Sequence, residues 1–87
     1  MSNLTKGAFL KLYRDLIRTS LDFPQYNYKK FFVRRIRDHF ETIKNETDPT
    51  KLGTFYQEET RTLETLRRQV LISKSLANRP LVIEQKQ

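Results

Sequence analysis

The chain has no cysteine and no tryptophan, and only two glycines, three prolines and one histidine in 87 residues. Without cysteine there is no disulfide framework, zinc knuckle, iron–sulfur ligand or thiol nucleophile. Gly7 and Gly53 alone cannot write a dinucleotide fingerprint or a phosphate-cradling loop. The lone His39 leaves little for an imidazole metal site or a Ser-His-Asp triad, and a single histidine near an apolar arc reads as a satisfied boundary residue. Glu58 and Glu59 are the one adjacent carboxylate pair that invites a general acid–base reading. Neighbours on a helix point apart, so both are expected to face solvent. These absences point away from an enzyme and from a cofactor of the chain's own. No apolar run approaches the roughly 20 residues needed to cross a bilayer. Residues 1–11 show neither the apolar core of a signal peptide nor the Arg/Ser-rich pattern of a presequence. The length suits one domain, 1–87, with a small self-made core.

What the chain has is positive charge, +7 overall. It is uneven: residues 1–44 carry ten basic and four acidic side chains, whereas residues 45–87 carry seven and six. The partner is therefore expected to be acidic: nucleic acid, anionic lipid or protein.

Two breaks organise the chain. Pro24 disfavours helical geometry at Phe23, and Asp48-Pro49 supplies a cap and a first helical residue. Between them the apolar residues keep a helical period. The expected helices are 5–21, 27–44 with Asn27 as N-cap, and 49–76, followed by a tail over 77–87. The fold class is all-α: an antiparallel three-helix bundle with a short extended C-terminal tail, where Pro80 precedes Leu81-Val82-Ile83. In the first helix Phe9, Leu10, Leu12, Tyr13, Leu16, Ile17 and Leu21 span an arc of ~180°, wider than one core-facing stripe requires. Phe31, Phe32, Val33, Ile36, Phe40 and Ile43 form another broad face. The third helix keeps a narrow stripe of Leu52, Tyr56, Leu63, Leu66 and Val70, with Gly53 weakening its first turn and Leu71 and Ile72 off the stripe. Such excess apolar surface calls for a partner. Lys30, Arg37 and Lys44 recur every seventh residue and stack in one row, with Arg34 close by and Glu41 as the acidic interruption. Read without further context, that row is a solvated helix face and Tyr13 and Phe40 are packing residues.

Leu12-Tyr13-Arg14 in the first helix and Phe40 downstream resemble the LYR-motif family of small mitochondrial adaptor proteins. Tyr26-Asn27-Tyr28, Arg34-Arg35-Ile36-Arg37-Asp38, Asp48-Pro49, Arg67-Arg68-Gln69-Val70 and Leu81-Val82-Ile83-Glu84 are similar to the branch that serves the mitochondrial cysteine desulfurase in iron–sulfur cluster assembly. The resemblance covers about residues 8 to 84. Three departures stand out: Glu64 where that branch has glycine, Leu76 where an aromatic is common, and Pro80 ahead of the final apolar run. They suggest a lineage distant from the animal members.

The resemblance implies a non-catalytic adaptor in the mitochondrial matrix or a reduced mitochondrion-derived organelle. One surface would hold and stabilise the pyridoxal-phosphate cysteine desulfurase, with the iron–sulfur scaffold reached indirectly. Another would hold a mitochondrial acyl carrier protein, whose acylated 4′-phosphopantetheine arm enters the bundle. By the resemblance, Lys6, Arg14, Arg37 and Lys44 turn toward the carrier. Leu10, Tyr13, Ile17, Ile36, Phe40 and Ile43 line the acyl chain, and Tyr26 and Arg68 meet the desulfurase. The alternatives are an LYR adaptor for a respiratory-complex client and a small basic nucleic-acid-binding helical protein. Against the latter, Asp38 and Glu41 interrupt the basic side.

Overall fold

A computed structural model describes residues 5–77. They form three helices: α1 (Lys6–Ser20), α2 (Tyr26–Ile43) and α3 (Pro49–Ala77). Each boundary lies within one residue of its expected place. The extended tail expected around Leu81-Val82-Ile83 lies outside the described residues.

Local chemistry sets the ends. Thr5 caps α1 by accepting the Ala8 N–H on its hydroxyl oxygen at 3.1 Å. Asp48 caps α3, its Oδ1 accepting the Thr50 N–H at 2.9 Å, and Pro49 takes the position where a missing N–H costs nothing. The start of α2 differs from the Asn27 cap expected from sequence. Gln25 holds the N-cap position in extended geometry with no side-chain cap bond, and the Lys29 N–H reaches the Gln25 carbonyl at 3.2 Å. The turn is decided by Phe23, which is buried and stacks on Phe32 at 5.2 Å between ring centroids. Tyr28 meets the same ring edge-on at 5.6 Å. Burying that ring outweighs the preference of asparagine for the cap.

Helix α1 packs against both α2 and α3. The core joins Leu12 and Leu16 of α1, Phe23 of the turn, Ile36 of α2, and Leu63, Leu66 and Val70 of α3. Ser20 is fully buried too, its hydroxyl donating to the Leu16 carbonyl at 2.9 Å, so a small side chain closes α1 without an orphan polar group. Lys74 meets Asp22 at 3.0 Å beyond the end of α1, Tyr13 in mid-α1 meets Phe40 of α2 at 5.0 Å, and Phe9 near the start of α1 meets Tyr56 near the start of α3 at 5.3 Å. These contacts place α1 antiparallel to α2 and α2 antiparallel to α3.

At 29 residues α3 is about 43 Å long. Its last turns run beyond the 21–25 turn and leave Leu71, Ile72 and Leu76 exposed, as the off-stripe apolar residues anticipate.

Gly53 sits in the first turns of α3, and a Cβ added there would meet nothing within 4 Å. Gly53→Ala should therefore raise stability by about 1 kcal/mol, through helix propensity alone. Urea denaturation checks this, and a lower midpoint would mean the site is less open than its geometry states.

Candidate functional site

At the end of the bundle where α1 and α3 begin and α2 finishes, the helices enclose an open cavity of about 700 Å³. Its walls are Phe9, Leu10 and Tyr13 from α1, Phe40 and Ile43 from α2, and Leu52 from α3. An aromatic cluster shapes it. Tyr13 meets Phe40 edge-on, Phe40 meets Phe55 edge-on at 4.9 Å, and Phe9 meets Tyr56 at 5.3 Å. These rings come from all three helices and join the walls to one another. Leu10 stays 53% exposed at the mouth, apolar surface that the other described residues do not cover.

The rim is polar and mostly cationic. Lys6, Arg37 and Lys44 line the same cavity, together with Glu41 and Glu46. Each carboxylate is already engaged: Glu41 pairs with Lys44 at 3.2 Å, and Glu46 accepts the Asp48 N–H at 3.1 Å. Lys6 and Arg37 form no ion pair among the described residues. Elsewhere on α1, Lys11 donates to Asp15 at 3.1 Å, and that hydrogen bond holds the Asp15 carboxyl below the usual carboxylate range. An apolar hollow with free cations at its mouth suits an elongated apolar group carrying an anionic end.

The fold thus brings together Lys6, Arg37 and Lys44, and with them Leu10, Tyr13, Phe40 and Ile43. Arg14 and Ile17 lie alongside, in a second hollow of about 610 Å³ between α1 and α2 that shares Leu10, Tyr13 and Arg37 with the first. Ile36 is placed elsewhere. It is 2% exposed in the core where all three helices meet, and does not line either hollow. Periodicity puts Ile36 one turn from Phe40 on the same face, but only the packing of the helices decides which turn is filled and which is open. The row of Lys30, Arg34 and Arg37 borders a smaller hollow of about 400 Å³ on α2, along with Asp38 and Glu41.

Tyr26 and Arg68 lie away from the cavity, toward the other end. Tyr26 is 70% exposed with the Lys30 ammonium 5.6 Å from its ring centre, and Arg68 is exposed on α3. Leu21, Tyr28, Phe31, Leu71, Ile72 and Leu76 are exposed at that end as well. The two surfaces are spatially distinct.

One reading from sequence is overturned. Glu58 is exposed, but Glu59 is buried at 5%, and its Oε2 lies 3.0 Å from His39 Nδ1. The stripe Leu52, Tyr56, Leu63, Leu66, Val70 has a gap of seven residues, and position 59 completes its alternating steps of four and three. The signal was present in the spacing; the residue's charge masked it. Phe55 was also missed, because it sits off that stripe while still reaching Phe40. Among the described residues no group of three or more His, Cys, Asp or Glu could hold a metal ion, and no helix is long and apolar enough to cross a membrane.

Comparison with known proteins gives a family match. The family described as Complex 1 protein (LYR family) matches residues 7–65. LYR motif-containing protein 4 of Mus musculus is 39% identical over 84 residues, covering 97% of this chain and 92% of that protein. Protein isd11 of Schizosaccharomyces pombe is 35% identical over 82 residues, covering 94% and 79% respectively. The LYR motif-containing protein 4 homolog of Drosophila melanogaster is 35% identical over 82 residues, covering 94% and 89%.

Proposed function

The chain belongs to the LYR family of Complex 1 proteins, and from that premise we propose that it is a non-catalytic adaptor joining an acylated acyl carrier protein to a cysteine desulfurase. The observation that carries this reading is the apolar cavity walled by Leu10, Tyr13, Phe40 and Ile43 and rimmed by Lys6, Arg37 and Lys44.

The fit is chemical. An acyl chain on a 4′-phosphopantetheine arm is an elongated apolar group behind a phosphate, borne by an acidic protein. The apolar walls would take the chain at about 25 cal/mol for each Å² removed from water. The cations at the mouth would hold the phosphate and the carrier's carboxylates, with the row along α2 extending that contact through Arg34 and Lys30. Lys44 must leave Glu41 to take part, which costs little because both ends of that pair are exposed. A ligand that fills the cavity and binds only the folded chain also stabilises the fold by mass action.

The desulfurase is assigned to the opposite end. Arg67-Arg68-Gln69-Val70 carries the resemblance there, and the exposed Tyr26, Phe31, Leu71 and Ile72 offer apolar contact area. An adaptor with its two surfaces at opposite ends can hold both partners at once. Sulfur delivery for iron–sulfur cluster assembly is then the client's chemistry, in the mitochondrial matrix or a related organelle. This chain supplies stability and connection.

Co-expression with the desulfurase and its acyl carrier, followed by native and intact mass spectrometry, tests the proposal. The expected result is one complex holding all three chains, with a carrier heavier than its apo form by acylated phosphopantetheine. A purified chain that carries neither partner would overturn it.

A further inference from the structure

We infer that the seam between α2 and α3 opens to admit the acyl group of the carrier, and that the His39–Glu59 contact is the latch across it. This rests on the adaptor reading above and adds how the bundle takes up its ligand.

Length decides that something must yield. From Thr5 at its mouth to Tyr13 the cavity follows α1 for about 12 Å. About thirteen bonds separate the phosphate of a phosphopantetheine arm from its sulfur, which is about 16 Å at roughly 1.2 Å for each bond of an extended chain. With the phosphate at the rim cations, the sulfur stands near the rings of Tyr13 and Phe40. The cavity walls cover the end of the arm and the first carbons, and the rest of an acyl chain needs room beyond the rings. One turn further, Leu16 and Ile36 are 0% and 2% exposed and leave none.

The helices do not resist equally. Both α2 and α3 pack along α1, and their approach to one another is the weakest of the three. Toward the cavity the seam is closed by the Phe40 and Phe55 rings, edge-on at 4.9 Å, and by His39 Nδ1 at 3.0 Å from Glu59 Oε2. At its other end α2 is held by Phe32, stacked on Phe23 at 5.2 Å. A roll of α2 about that stack keeps Tyr13 against Phe40, parts Phe40 from Phe55 and lengthens the cavity between α2 and α3. Glu59 favours the motion. Its Oε1 is buried with no hydrogen-bond partner among the described residues, a cost carried only while the seam is shut. Once the seam opens, water reaches both carboxylate oxygens, and His39, whose side chain is already 40% exposed, stays solvated. The unpaired oxygen narrows the gap between the closed and open states, and burial of the acyl chain tips it.

Two variants of the full chain test this, each offered carrier with bare phosphopantetheine or with dodecanoyl-phosphopantetheine. Glu59→Leu replaces the half-satisfied carboxylate by an apolar side chain and holds the seam shut, so the free chain should melt no lower than the parent. Its preference for the acylated over the bare carrier should fall at least tenfold. Arg35→Cys with Thr62→Cys places one thiol on each side of the groove over the seam, in a chain with no other cysteine. Bridging the two with a short reducible cross-linker should lower the same preference at least tenfold, and reduction should restore it. If both variants keep the parent's preference, the opening seam is overturned and the adaptor reading stands. If only the bridged chain loses it, Glu59 is overturned as the latch. A Glu59→Leu chain that melts lower than the parent, or does not fold, shows that Glu59 serves the fold and overturns the latch as well. If the parent itself shows no preference for the acylated carrier, the adaptor reading and the latch fall together.

Discussion

Replacing Arg37 and Lys44 together by glutamate should release the acyl carrier from the proposed complex and leave the bundle folded. Both side chains project from the exposed side of α2 at the cavity mouth, and neither belongs to the core. Each charge-assisted hydrogen bond lost costs about 1.5–3 kcal/mol, so two together cost at least about 3 kcal/mol, a hundredfold or more in affinity. Reversal of sign adds repulsion from an acidic partner and from Glu41, which already sits between the two positions. The helical circular dichroism signal should be unchanged. Raising the salt concentration should narrow the gap between parent and variant, because these charges are solvent-exposed and screened. Carrier retention in the co-expressed complex is the measurement, and equal retention would remove Arg37 and Lys44 from the site.

The second large effect is on the fold. Leu16 is 0% exposed at the centre of α1, where α2 and α3 both pack. Leu16→Ala should cost about 3–5 kcal/mol, through lost transfer energy and the cavity left behind. A chain of 87 residues has on the order of 4–13 kcal/mol in total, at about 0.05–0.15 kcal/mol per residue. The variant alone is therefore close to unfolded, or becomes so with modest urea. The acylated carrier should restore part of the lost midpoint by binding only the folded form. Denaturation with and without the carrier measures both quantities. A loss below about 1 kcal/mol would contradict the packing described for Leu16, and a midpoint indifferent to the carrier would contradict the cavity's role.

The two predictions differ in how early they could be made. Leu16 and Arg37 are both visible in the periodicity, one on the apolar arc and one on the basic row. That Arg37 stands beside an open hollow, whereas Ile36 is sealed beneath the helices, is not visible. Adjacent residues on a helix differ by ~100°, and the relative tilt of neighbouring helices decides what each direction faces. Phe23 shows the same limit in the turn. Its place before Pro24 marks it as a helix boundary, and only the fold shows that its ring is core and moves the start of α2 back from Asn27. Glu59 was lost for another reason. Its spacing places it on the α3 stripe, but a carboxylate carries the strongest prior for solvent, and His39, its partner, is twenty residues away in the chain.

The sequence by itself determined the helix count, their ends and the uneven charge. Caps, proline restrictions and apolar spacing act within a few residues and need no knowledge of the rest of the chain. It also carried the motif by which the family is recognised. The tertiary structure decided what the chain's absences mean. With 87 residues there is little room for a self-made core, so where the apolar side chains end up depends on how the helices pack. Packing the three helices turns the surplus of apolar residues into an open cavity at one end and, among the described residues, an exposed apolar surface at the other. It also places the single histidine against a buried carboxylate between two helices. These are juxtapositions of residues far apart in sequence, and only the packing of rigid helices fixes them.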